Sequence, residues 1–526
     1  MRPATRILSA LSAVLFAASL ASAATITGTV KGLDGAPFEG AFVQAQNAKT
    51  KILVSVLTDR QGKYRVENLP AGEYRLQVRA VGFKVDPRTG VNLAADQNAS
   101  FDFPLQKGIV HWNELSMYQG KTLFPEAKGK EVLTGRCWAC HGFETRMASV
   151  TRDEDGWKDR VAYMREAMGF FLNNPRNPFT DQNGADIAAY LTSLFGPDSV
   201  LPKSPADMPQ YKEVVHTPFS DEAMKIVYVE YELPGPNRMP WSAAPDKDGN
   251  LWMPYYGRAN MVGRLNPTTA EVKEFPLPHQ IPAGVHSAVP APDGTVWITE
   301  QGTNRLAKWD PSTQKITEFQ DEIGKHTARV APNGQIFFSG GQGSFDPETQ
   351  KFTHYDASGA YGIALDPQGN AWYASGNNLF RVDLKTREEK KWTPPSGHVK
   401  ENIFNRRIQV DADGTVWFAE YNIGKLASFD PKAEKFTEYQ LPGPDPTPYA
   451  LYIGKNHDVW YSSEYTDVIG RLDTRTGKVL EYPFPQSENT MREFFLDSQG
   501  RMWFATPTNN KVGYFYLAGG NERASN

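Results

Sequence analysis

Residues 295–309 read TVWITEQGTNRLAKW, and residues 415–429 repeat the pattern as TVWFAEYNIGKLASF. In each stretch a run of β-branched and aromatic residues is followed by a short turn and a second run, which is typical of two adjacent strands. Similar units recur every 35 to 45 residues, and their seven aromatic anchors are Trp252, Trp297, Phe337, Trp372, Trp417, Trp460 and Trp503. A repeat of this length made of short strands predicts a seven-bladed β-propeller, with one blade for each anchor.

The two ends of the repeated region predict how the ring closes. The last unit stops at VGYFYL, residues 512–517, without an outer strand of its own. The segment KIVYVEYELP, residues 225–234, has the pattern of an outer strand and lacks the rest of its blade. We therefore expect the propeller to span residues 225–519, with its first strand completing the seventh blade and leaving no free sheet edge in the ring.

These units resemble the virginiamycin B lyase family over the whole propeller, which implies the fold more strongly than the reaction. The family opens a cyclic ester by elimination, using Mg²⁺ and a histidine base at the start of an inner strand. His286 and His326 occupy that position here, so the resemblance permits a base and a divalent cation such as Mg²⁺ in the propeller. The family also has a carboxylate two residues ahead of a histidine, where this chain has Gly284 and Gly324, so streptogramin lyase activity is not expected.

The repeat register predicts a polar site at one mouth of the central channel. In each blade the inner strand starts eleven residues before the anchor, and the next strand returns to the same rim three residues after it. The expected pairs are Trp241 with Tyr255, His286 with Glu300, His326 with Gly340, Tyr361 with Ser375, Arg406 with Glu420, Tyr449 with Ser463, and Arg492 with Thr506. The candidate catalytic residues among them are His286, His326, Glu300, Arg406, Glu420 and Arg492.

Two interpretations of this mouth remain open. In the first, His286 pairs with Glu300 and Arg406 pairs with Glu420, and these pairs only join neighbouring blades. In the second, the mouth binds a small anionic or oxygen-rich ligand, which arginine side chains fix by forked hydrogen bonds. A histidine of the mouth would then act as a base near neutral pH.

A different pattern, GRCWACHG at residues 135–142, contains Cys137 and Cys140, the only cysteines of the chain, followed directly by His141. A disulfide or a redox dithiol would use the thiols alone. The Cys-x-x-Cys-His arrangement uses all three side chains, because the thiols attach a haem and the imidazole becomes an axial ligand of its iron. The sequence therefore predicts one covalently bound haem c.

The residues around this motif have helical spacing, in KGKEVLTG before it and in WKDRVAYMREAMG and TDQNGADIAAYLTSLFG after it. Thr180 and Asp181 are expected to cap the last helix, and Gly196 to end it. On CWACH and the DIAAYL helix, residues 109–196 resemble the class I cytochrome c domain.

That resemblance implies a methionine as the sixth ligand of the iron. Met164 is expected to provide it, with Met168 as the alternative. Met147 is too close to His141 in sequence to reach the other face of the ring, and Met208 lies beyond the closing helix. Both Met164 and Met168 could instead be core residues, since methionine often fills gaps.

Residues 25–107 alternate strand-like runs with turns. The stretches GTVKGLDGAPFEGAFV and TDRQGKYRVENLPAGEYRLQVRAVGF resemble the carboxypeptidase regulatory-like domain, which implies a small transthyretin-like β-sandwich with a structural role. Residues 197–224, rich in proline and charge, are expected to link the helical domain to the propeller.

Residues 1–23 have the layout of a signal peptide, with Arg2 and Arg6 before an apolar run and an Ala-Ser-Ala end. We expect export to a bacterial periplasm and no integral membrane segment after cleavage. The formal charge of −4 argues against nucleic acid as a partner, since phosphates require a basic face.

Together these patterns predict a mainly β, multidomain periplasmic cytochrome with one haem c. Electron transfer or oxidoreductase activity is favoured, with a periplasmic redox protein as partner and a ligand at the propeller mouth. The alternative is a carbon–oxygen lyase or ligand-binding propeller without redox chemistry, to which the cytochrome is an appendage.

Overall fold

The structure is a computed structural model, and it describes residues 23–173, 177–216, 218–279, 281–355, 360–400 and 402–519. The predicted signal peptide lies outside the described residues, except for Ala23. No helix in the described part of the chain is long and apolar enough to cross a membrane. The fold is mainly β, with an N-terminal sandwich, a helical segment and a propeller-like domain.

The N-terminal domain is a β-sandwich of two sheets. Its strands are β1 (Ala24–Lys31), β2 (Phe42–Asn47), β3 (Leu53–Leu57), β4 (Lys63–Leu69), β5 (Gly72–Arg79), β6 (Phe83–Lys84), β7 (Arg88–Leu93), β8 (Asn98–Ser100), β9 (Phe103–Pro104) and β10 (Gln106–Lys107). One sheet has the order β4-β1-β8, with β9 also paired to β1, and the other contains β3-β2-β5-β7. Strands β6 and β10 pair with each other, outside these two sheets. Ile26, Val43 and Val66 are fully buried between them, because alternate side chains of each strand face the core.

The helical segment follows the sandwich. Its helices are α1 (Met117–Leu123), α2 (Lys128–Gly135), α3 (Glu154–Ala167), α4 (Gly169–Leu172) and α5 (Asp181–Phe195). The Thr180 side chain accepts a hydrogen bond from the Asn183 backbone, and α5 ends at Gly196, so the expected start and stop of this helix are confirmed. Helix α2 leads directly into the Cys-x-x-Cys-His motif.

The segment expected to be a linker packs along the helices. It contains three short 3₁₀ helices, Pro205–Asp207, Pro209–Glu213 and Ala223–Lys225. The Trp112 indole donates to the Pro202 carbonyl, and the Gln119 side chain donates to the Val214 carbonyl, each at 2.9 Å. These bonds fix the segment against the helical segment as a strap.

The propeller-like domain consists of seven four-stranded units, and a short helix α6 (Pro395–Val399) lies in one connection. In chain order its strands are β11 (Ile226–Glu232); β12 (Ala244–Pro245), β13 (Leu251–Pro254), β14 (Met261–Leu265) and β15 (Val272–Pro276); β16 (Val285–Pro290), β17 (Val296–Glu300), β18 (Arg305–Asp310) and β19 (Lys315–Gln320); β20 (Lys325–Val330), β21 (Ile336–Gly340), β22 (Gly343–Asp346) and β23 (Lys351–His354); β24 (Gly362–Leu365), β25 (Asn370–Ser375), β26 (Asn378–Asp383) and β27 (Glu389–Trp392); β28 (Asn405–Val410), β29 (Val416–Glu420), β30 (Lys425–Asp430) and β31 (Lys435–Gln440); β32 (Pro448–Ile453), β33 (Val459–Ser463), β34 (Val468–Leu472) and β35 (Val479–Pro483); and β36 (Phe495–Leu496), β37 (Met502–Thr506) and β38 (Lys511–Leu517).

The aromatic anchors all lie in the second strand of their blades, as the repeat predicted. In three blades the anchor's indole nitrogen donates to an aspartate six residues earlier, at 3.1 Å for Trp252, 2.7 Å for Trp372 and 2.7 Å for Trp503. Each bond ties the inner hairpin turn to the buried tryptophan, so one polar contact fixes the turn that the repeat specifies.

Strand β11 closes the ring and joins it to the sandwich. It pairs with β38 along seven residue positions, from Ile226 opposite Leu517 to Glu232 opposite Lys511, so the expected completion of the seventh blade is confirmed. Its other edge pairs with β3, with Val229 opposite Val54. The seventh blade and one sheet of the sandwich thus form one continuous eight-stranded sheet, an arrangement that leaves neither edge of β11 exposed.

Candidate functional site

A cavity lies in the helical segment, next to the Cys-x-x-Cys-His motif. Cys137, Cys140 and His141 lie on its wall, together with Met164 and Met168. The remaining wall is largely apolar and includes Met147, Trp157, Val161, Phe171, Leu172, Phe179, Ile187 and Leu191. An apolar lining with a few polar groups is typical of a cofactor site.

His141 is oriented by its own neighbour. Its ring Nδ1 lies 2.7 Å from the carbonyl oxygen of Gly142, so Nδ1–H donates to that oxygen and the lone pair of Nε2 is left free. Burial lowers the pKa of His141 to about 4, which keeps the imidazole neutral. A neutral imidazole with one nitrogen engaged by a carbonyl is the form that ligates a metal.

Cys140 is buried and Cys137 is partly buried, and both thiols have raised pKa values. Burial raises the pKa of Cys137 to about 12 and that of Cys140 to about 11, and both cysteines are free. A redox dithiol requires the opposite shift, because the thiolate is the reacting form. The geometry therefore disfavours the dithiol interpretation of this motif.

Four arginines lie at the margin of the cavity: Arg136, Arg146, Arg160 and Arg165. Trp157 is 2 % exposed, and its indole nitrogen has no hydrogen-bond partner within the described part of the chain. Guanidinium forks and a free indole N–H both suit carboxylates, and a haem has two propionate carboxylates. The wall therefore fits a haem in its apolar lining, its iron ligands and its polar edge.

A second cavity approaches the same histidine from the propeller side. His141, Met164 and Met168 form part of its wall, and Arg238 and Arg258 of the first blade form another part. This cavity gives the cofactor site an approach lined by positive charge.

The helical segment covers the mouth of the propeller. Arg492, on the propeller side, donates to the backbone carbonyls of Ala139 and Cys140 at 3.2 and 3.3 Å. Its guanidinium also lies 2.5 Å from the Glu464 carboxylate, and both side chains are almost fully buried. The propeller axis thus contacts the backbone of the Cys-x-x-Cys-His motif directly.

Arg406 lies in an aromatic cage on the axis. The distances from its guanidinium carbon to the ring centroids of Phe404, Tyr421, Tyr361 and Tyr449 are 3.8, 4.4, 4.6 and 4.6 Å. Cation–π contacts of this kind stabilise a desolvated cation. The four rings therefore surround the Arg406 guanidinium with cation–π contacts.

The two candidate bases lie next to each other. The rings of His286 and His326 are 3.5 Å apart between centroids, and the Trp241 indole donates to His286 Nε2 at 3.0 Å. Burial lowers the pKa of both histidines well below the ordinary value, and the nearby Arg407 lowers it further. Both imidazoles are therefore neutral at physiological pH, the form that can accept a proton.

The expected pairs His286–Glu300 and Arg406–Glu420 are wrong by one residue. Val285 is paired with Glu300, and Asn405 with Glu420, because a β-bulge begins at the start of each inner strand. A bulge re-aims the extra side chain. His286 and Arg406 consequently turn toward the axis, away from the carboxylates expected beside them.

The side chains on the propeller axis are here called the axial group. Glu300 and Glu420 lie outside it. The Thr303 hydroxyl donates to Glu300 at 2.6 Å, and neither oxygen of Glu420 has a hydrogen-bond partner within the described ranges. Burial raises the pKa of Glu300 to about 7 and that of Glu420 to about 8. Of the six candidate catalytic residues, the structure brings together His286, His326, Arg406 and Arg492.

Arg407 and Glu464 belong to the axial group and were not predicted. Arg407 donates to the Arg492 carbonyl at 2.7 Å and to the Thr327 hydroxyl at 2.6 Å. Arg407 directly follows Arg406 at the start of an inner strand, and this pair of arginines could have indicated that Arg407 also lies near the axis. Glu464 carries the charge opposite Arg492, and its position just past the end of β33 gave no comparable signal.

Packing explains why Gly284 and Gly324 stand where the resembled family has a carboxylate. A Cβ on Gly284 would lie 2.5 Å from the ring of Phe170, and one on Gly302 would lie 3.0 Å from it. A Cβ on Gly324 would lie 2.7 Å from the carbonyl oxygen of Gln301. The space beside Gly284 is thus filled by a phenylalanine of the helical segment.

Two family models match separate parts of the chain. The virginiamycin B lyase family matches residues 348–523, and the carboxypeptidase regulatory-like domain matches residues 25–106. Among solved structures, the virginiamycin B lyase of Staphylococcus aureus is 22% identical with a TM-score of 0.51, covering 56% of this chain and 99% of its own. A streptogramin B lyase is 24% identical with a TM-score of 0.51, covering 57% and 100%. No curated protein matches the chain.

At these identities the likeness to solved structures establishes the fold alone. The chain is a mainly β multidomain protein with a β-sandwich-like domain and a propeller-like domain. More particularly, it combines a carboxypeptidase regulatory-like domain with a virginiamycin B lyase-like propeller.

Proposed function

We propose that the helical segment, residues 109–196, is a class I cytochrome c domain that binds one haem c covalently, and that the protein transfers electrons. The observation that supports this most directly is the apolar cavity whose wall combines Cys137, Cys140 and His141 with Met164 and Met168. A bound haem would take up or release one electron at its iron. The export signal predicted for residues 1–23 is consistent with attachment in a periplasm and with a redox partner there.

Each side chain has a defined part in this proposal. Cys137 and Cys140 would provide the two thioether sulfurs, and His141 Nε2 is the free nitrogen donor. Met164 would provide a thioether ligand, with Met168 as the alternative. The apolar wall excludes water, which favours the uncharged environment that raises a haem potential.

Covalent attachment is the test. The full chain, produced in a periplasm with haem-attachment machinery, is expected to gain the mass of one haem and a c-type reduced spectrum. Replacing both cysteines by alanine should abolish covalent attachment, and Met164→Ala should remove the methionine-to-iron absorption band while Met168→Ala keeps it. A chain that gains no haem under conditions that mature another c-type cytochrome would refute the proposal.

A second candidate function is a lyase or ligand-binding propeller without redox chemistry. The family match over residues 348–523 favours it, as do the neutral histidines and the arginines on the axis. A small anionic ligand would find Arg406 and Arg492 there, and His286 or His326 could accept a proton. The covering helical segment and the glycines at the carboxylate positions oppose the opening of a large cyclic ester.

Incubation with a streptogramin B separates the two candidates. The expected result is no ring-opened product by mass spectrometry. Ring opening that is lost in His286→Ala, at unchanged haem content, would make the lyase the main function. Reduction of the haem by an added substrate, without ring opening, would instead support an oxidoreductase.

A further inference from the structure

Three metal-ligating side chains lie together at the rim of the second blade, apart from the cofactor cavity. His279 lies in the connection between β15 and β16, Glu300 ends β17, and Glu318 lies in β19. One ligand atom from each lies within 4.8 Å of the other two. The side chains of His279 and Glu318 are 17% and 15% exposed, and that of Glu300 is 0% exposed.

The hydrogen bonds leave one nitrogen of His279 and one oxygen of Glu300 without a partner in the described part of the chain. His279 Nδ1 donates to Glu318 Oε1 at 2.6 Å, which leaves the lone pair of Nε2 free. That Nε2 lies 3.6 Å from Glu300 Oε2. Neither His279 Nε2 nor Glu300 Oε1 has a hydrogen-bond partner among the residues described. A fully buried carboxylate with a free oxygen is costly unless something binds it.

The separation of 3.6 Å between His279 Nε2 and the nearer oxygen of the Glu300 carboxylate suits a shared metal ion. It exceeds the ordinary limit of about 3.2 Å for a hydrogen bond. Two ligands of one tetrahedral Zn²⁺, with bonds of about 2.0–2.2 Å, lie roughly 3.3–3.5 Å apart. We propose that His279 Nε2 and Glu300 bind a zinc-like divalent ion, and that Glu318 positions His279 through its Nδ1–H.

The chemistry of the donors points to zinc more than to magnesium. An imidazole nitrogen with one carboxylate suits Zn²⁺ and similar transition metals, whereas Mg²⁺ prefers oxygen ligands alone. The Nδ1–H bond to a carboxylate is the usual outer contact of a zinc-bound histidine. Because His279 and Glu318 are partly exposed, water can reach the remaining coordination positions.

The charges nearby are compatible with a cation. Arg305 Nε lies 3.6 Å from Glu318 Oε2, so this guanidinium offsets the charge of Glu318. The Thr303 hydroxyl donates to Glu300 and leaves its other oxygen free. One oxygen of Glu300 therefore remains available to a cation.

The fifth blade provides an internal comparison. There Glu420 and Glu438 take the places of Glu300 and Glu318, and Lys425 Nζ lies 2.8 Å from Glu438 Oε2. Ser396 donates to Glu438 at 2.7 Å, where the second blade has His279. Among the described residues no imidazole joins Glu420 and Glu438 in a group of potential metal ligands, so the fifth blade lacks the nitrogen ligand of the proposed site.

The test uses the full chain in its mature form, stripped with a chelator and titrated with Zn²⁺ by calorimetry. One equivalent is expected to bind, and Mg²⁺ should bind at least about 10-fold more weakly. His279→Ala should abolish this binding, and Glu318→Gln should weaken it about 10- to 100-fold. Each variant is checked for an unchanged thermal unfolding midpoint, so that loss of binding is not loss of fold.

A matched control comes from a second group of potential ligands, Asp411, Asp413 and His457, where the His457 side chain is 48% exposed. His457→Ala should leave the Zn²⁺ titration unchanged. Equal binding by the wild type and His279→Ala, or no binding of Zn²⁺ by either, would overturn the proposal. Haem content does not enter this titration, so its result is independent of the cytochrome.

Discussion

Glu420 ends strand β29 with a carboxylate that is 0% exposed. Burial raises its pKa to about 8, and the neighbouring Glu438 raises it further, while Lys425 lowers it. At neutral pH Glu420 is therefore largely protonated in the folded chain and ionised in the unfolded chain. One side chain thus makes stability depend on pH.

The sign of this dependence follows from the raised pKa. The contribution of the protonated carboxyl is fully present below the unfolded pKa of about 4.3 and is lost as the pH rises through about 8. Glu420→Gln should therefore be more stable than the wild type at pH 9 by about 5 kcal/mol, and about equal to it at pH 4. Urea unfolding at both pH values measures the difference.

The exposed Glu434 provides the control, since Glu434→Gln removes a charge from the same blade without changing a buried group. Its stability should follow that of the wild type at both pH values. A Glu420→Gln variant that tracks the wild type across this range would mean that Glu420 is ionised in the folded chain.

At the scale of elements, the bulges and the shared strand determine the architecture. A one-residue bulge at the start of the inner strands turns His286, His326 and Arg406 toward the axis. Strand β11 joins two domains through backbone hydrogen bonds. The sandwich is therefore an added sheet on the seventh blade, a form of strand addition.

Disrupting the pairing of β3 with β11 should expose an unpaired strand edge through which molecules can associate. Val54 lies in the middle of β3 and faces both Ala45 and Val229, so Val54→Pro removes a donor from a central strand. We expect loss of the β3–β11 pairing and self-association through the uncovered edge of β11. Size-exclusion chromatography with light scattering measures the change in mass.

Thr89→Pro is the matched control. Thr89 lies in β7, at the outer edge of the same sheet, in a stretch where the pairing with β5 is irregular. Proline is tolerated at edges and bulges, so this variant should remain monomeric if the wild type does. If Thr89→Pro associated and Val54→Pro did not, the strand edge responsible for association would be that of β7.

At the scale of the whole molecule, the helical segment covers the propeller mouth through a few close contacts. Gly284 has φ +57°, and the space beyond its Cα is filled by Phe170. Gly284→Glu should therefore displace Phe170 and loosen the cover, which hydrogen exchange would detect as faster exchange in α4 and around His286.

Gly334 has φ +83° and no atom within 4 Å of its Cβ position, so Gly334→Glu has comparable backbone strain without the clash. Exchange around His286 should be unchanged in that variant. Equal exchange in both variants would mean that backbone strain, and not Phe170, is responsible.

The repeated and local features of this fold could be predicted from the sequence. Short-range patterns in the sequence predict the anchor tryptophans, the closure by residues 226–232 and the cap at Thr180. The Cys-x-x-Cys-His motif and its candidate methionines are likewise found together at one cavity.

The remaining features depend on single-residue shifts and distant contacts. A bulge moves the register by one position, and nothing in the inner-strand sequences distinguishes the bulged residue. The contact of Arg492 with Cys140 joins residues 352 positions apart, and no pattern in either segment specifies its partner. The burial of Glu464 opposite Arg492 could not be predicted for the same reason.

Strand β11 also imposes an order of assembly. The sandwich precedes it in the chain and can fold first, with β3 providing a template for β11 as synthesis proceeds. Strand β38 follows all the other blades, so the pairing that closes the ring has a very high sequence separation and is expected to form late. A nascent chain would then pass through an open, six-bladed stage in which β11 is already docked on the sandwich, and the sandwich would act as an intramolecular chaperone for the unfinished ring.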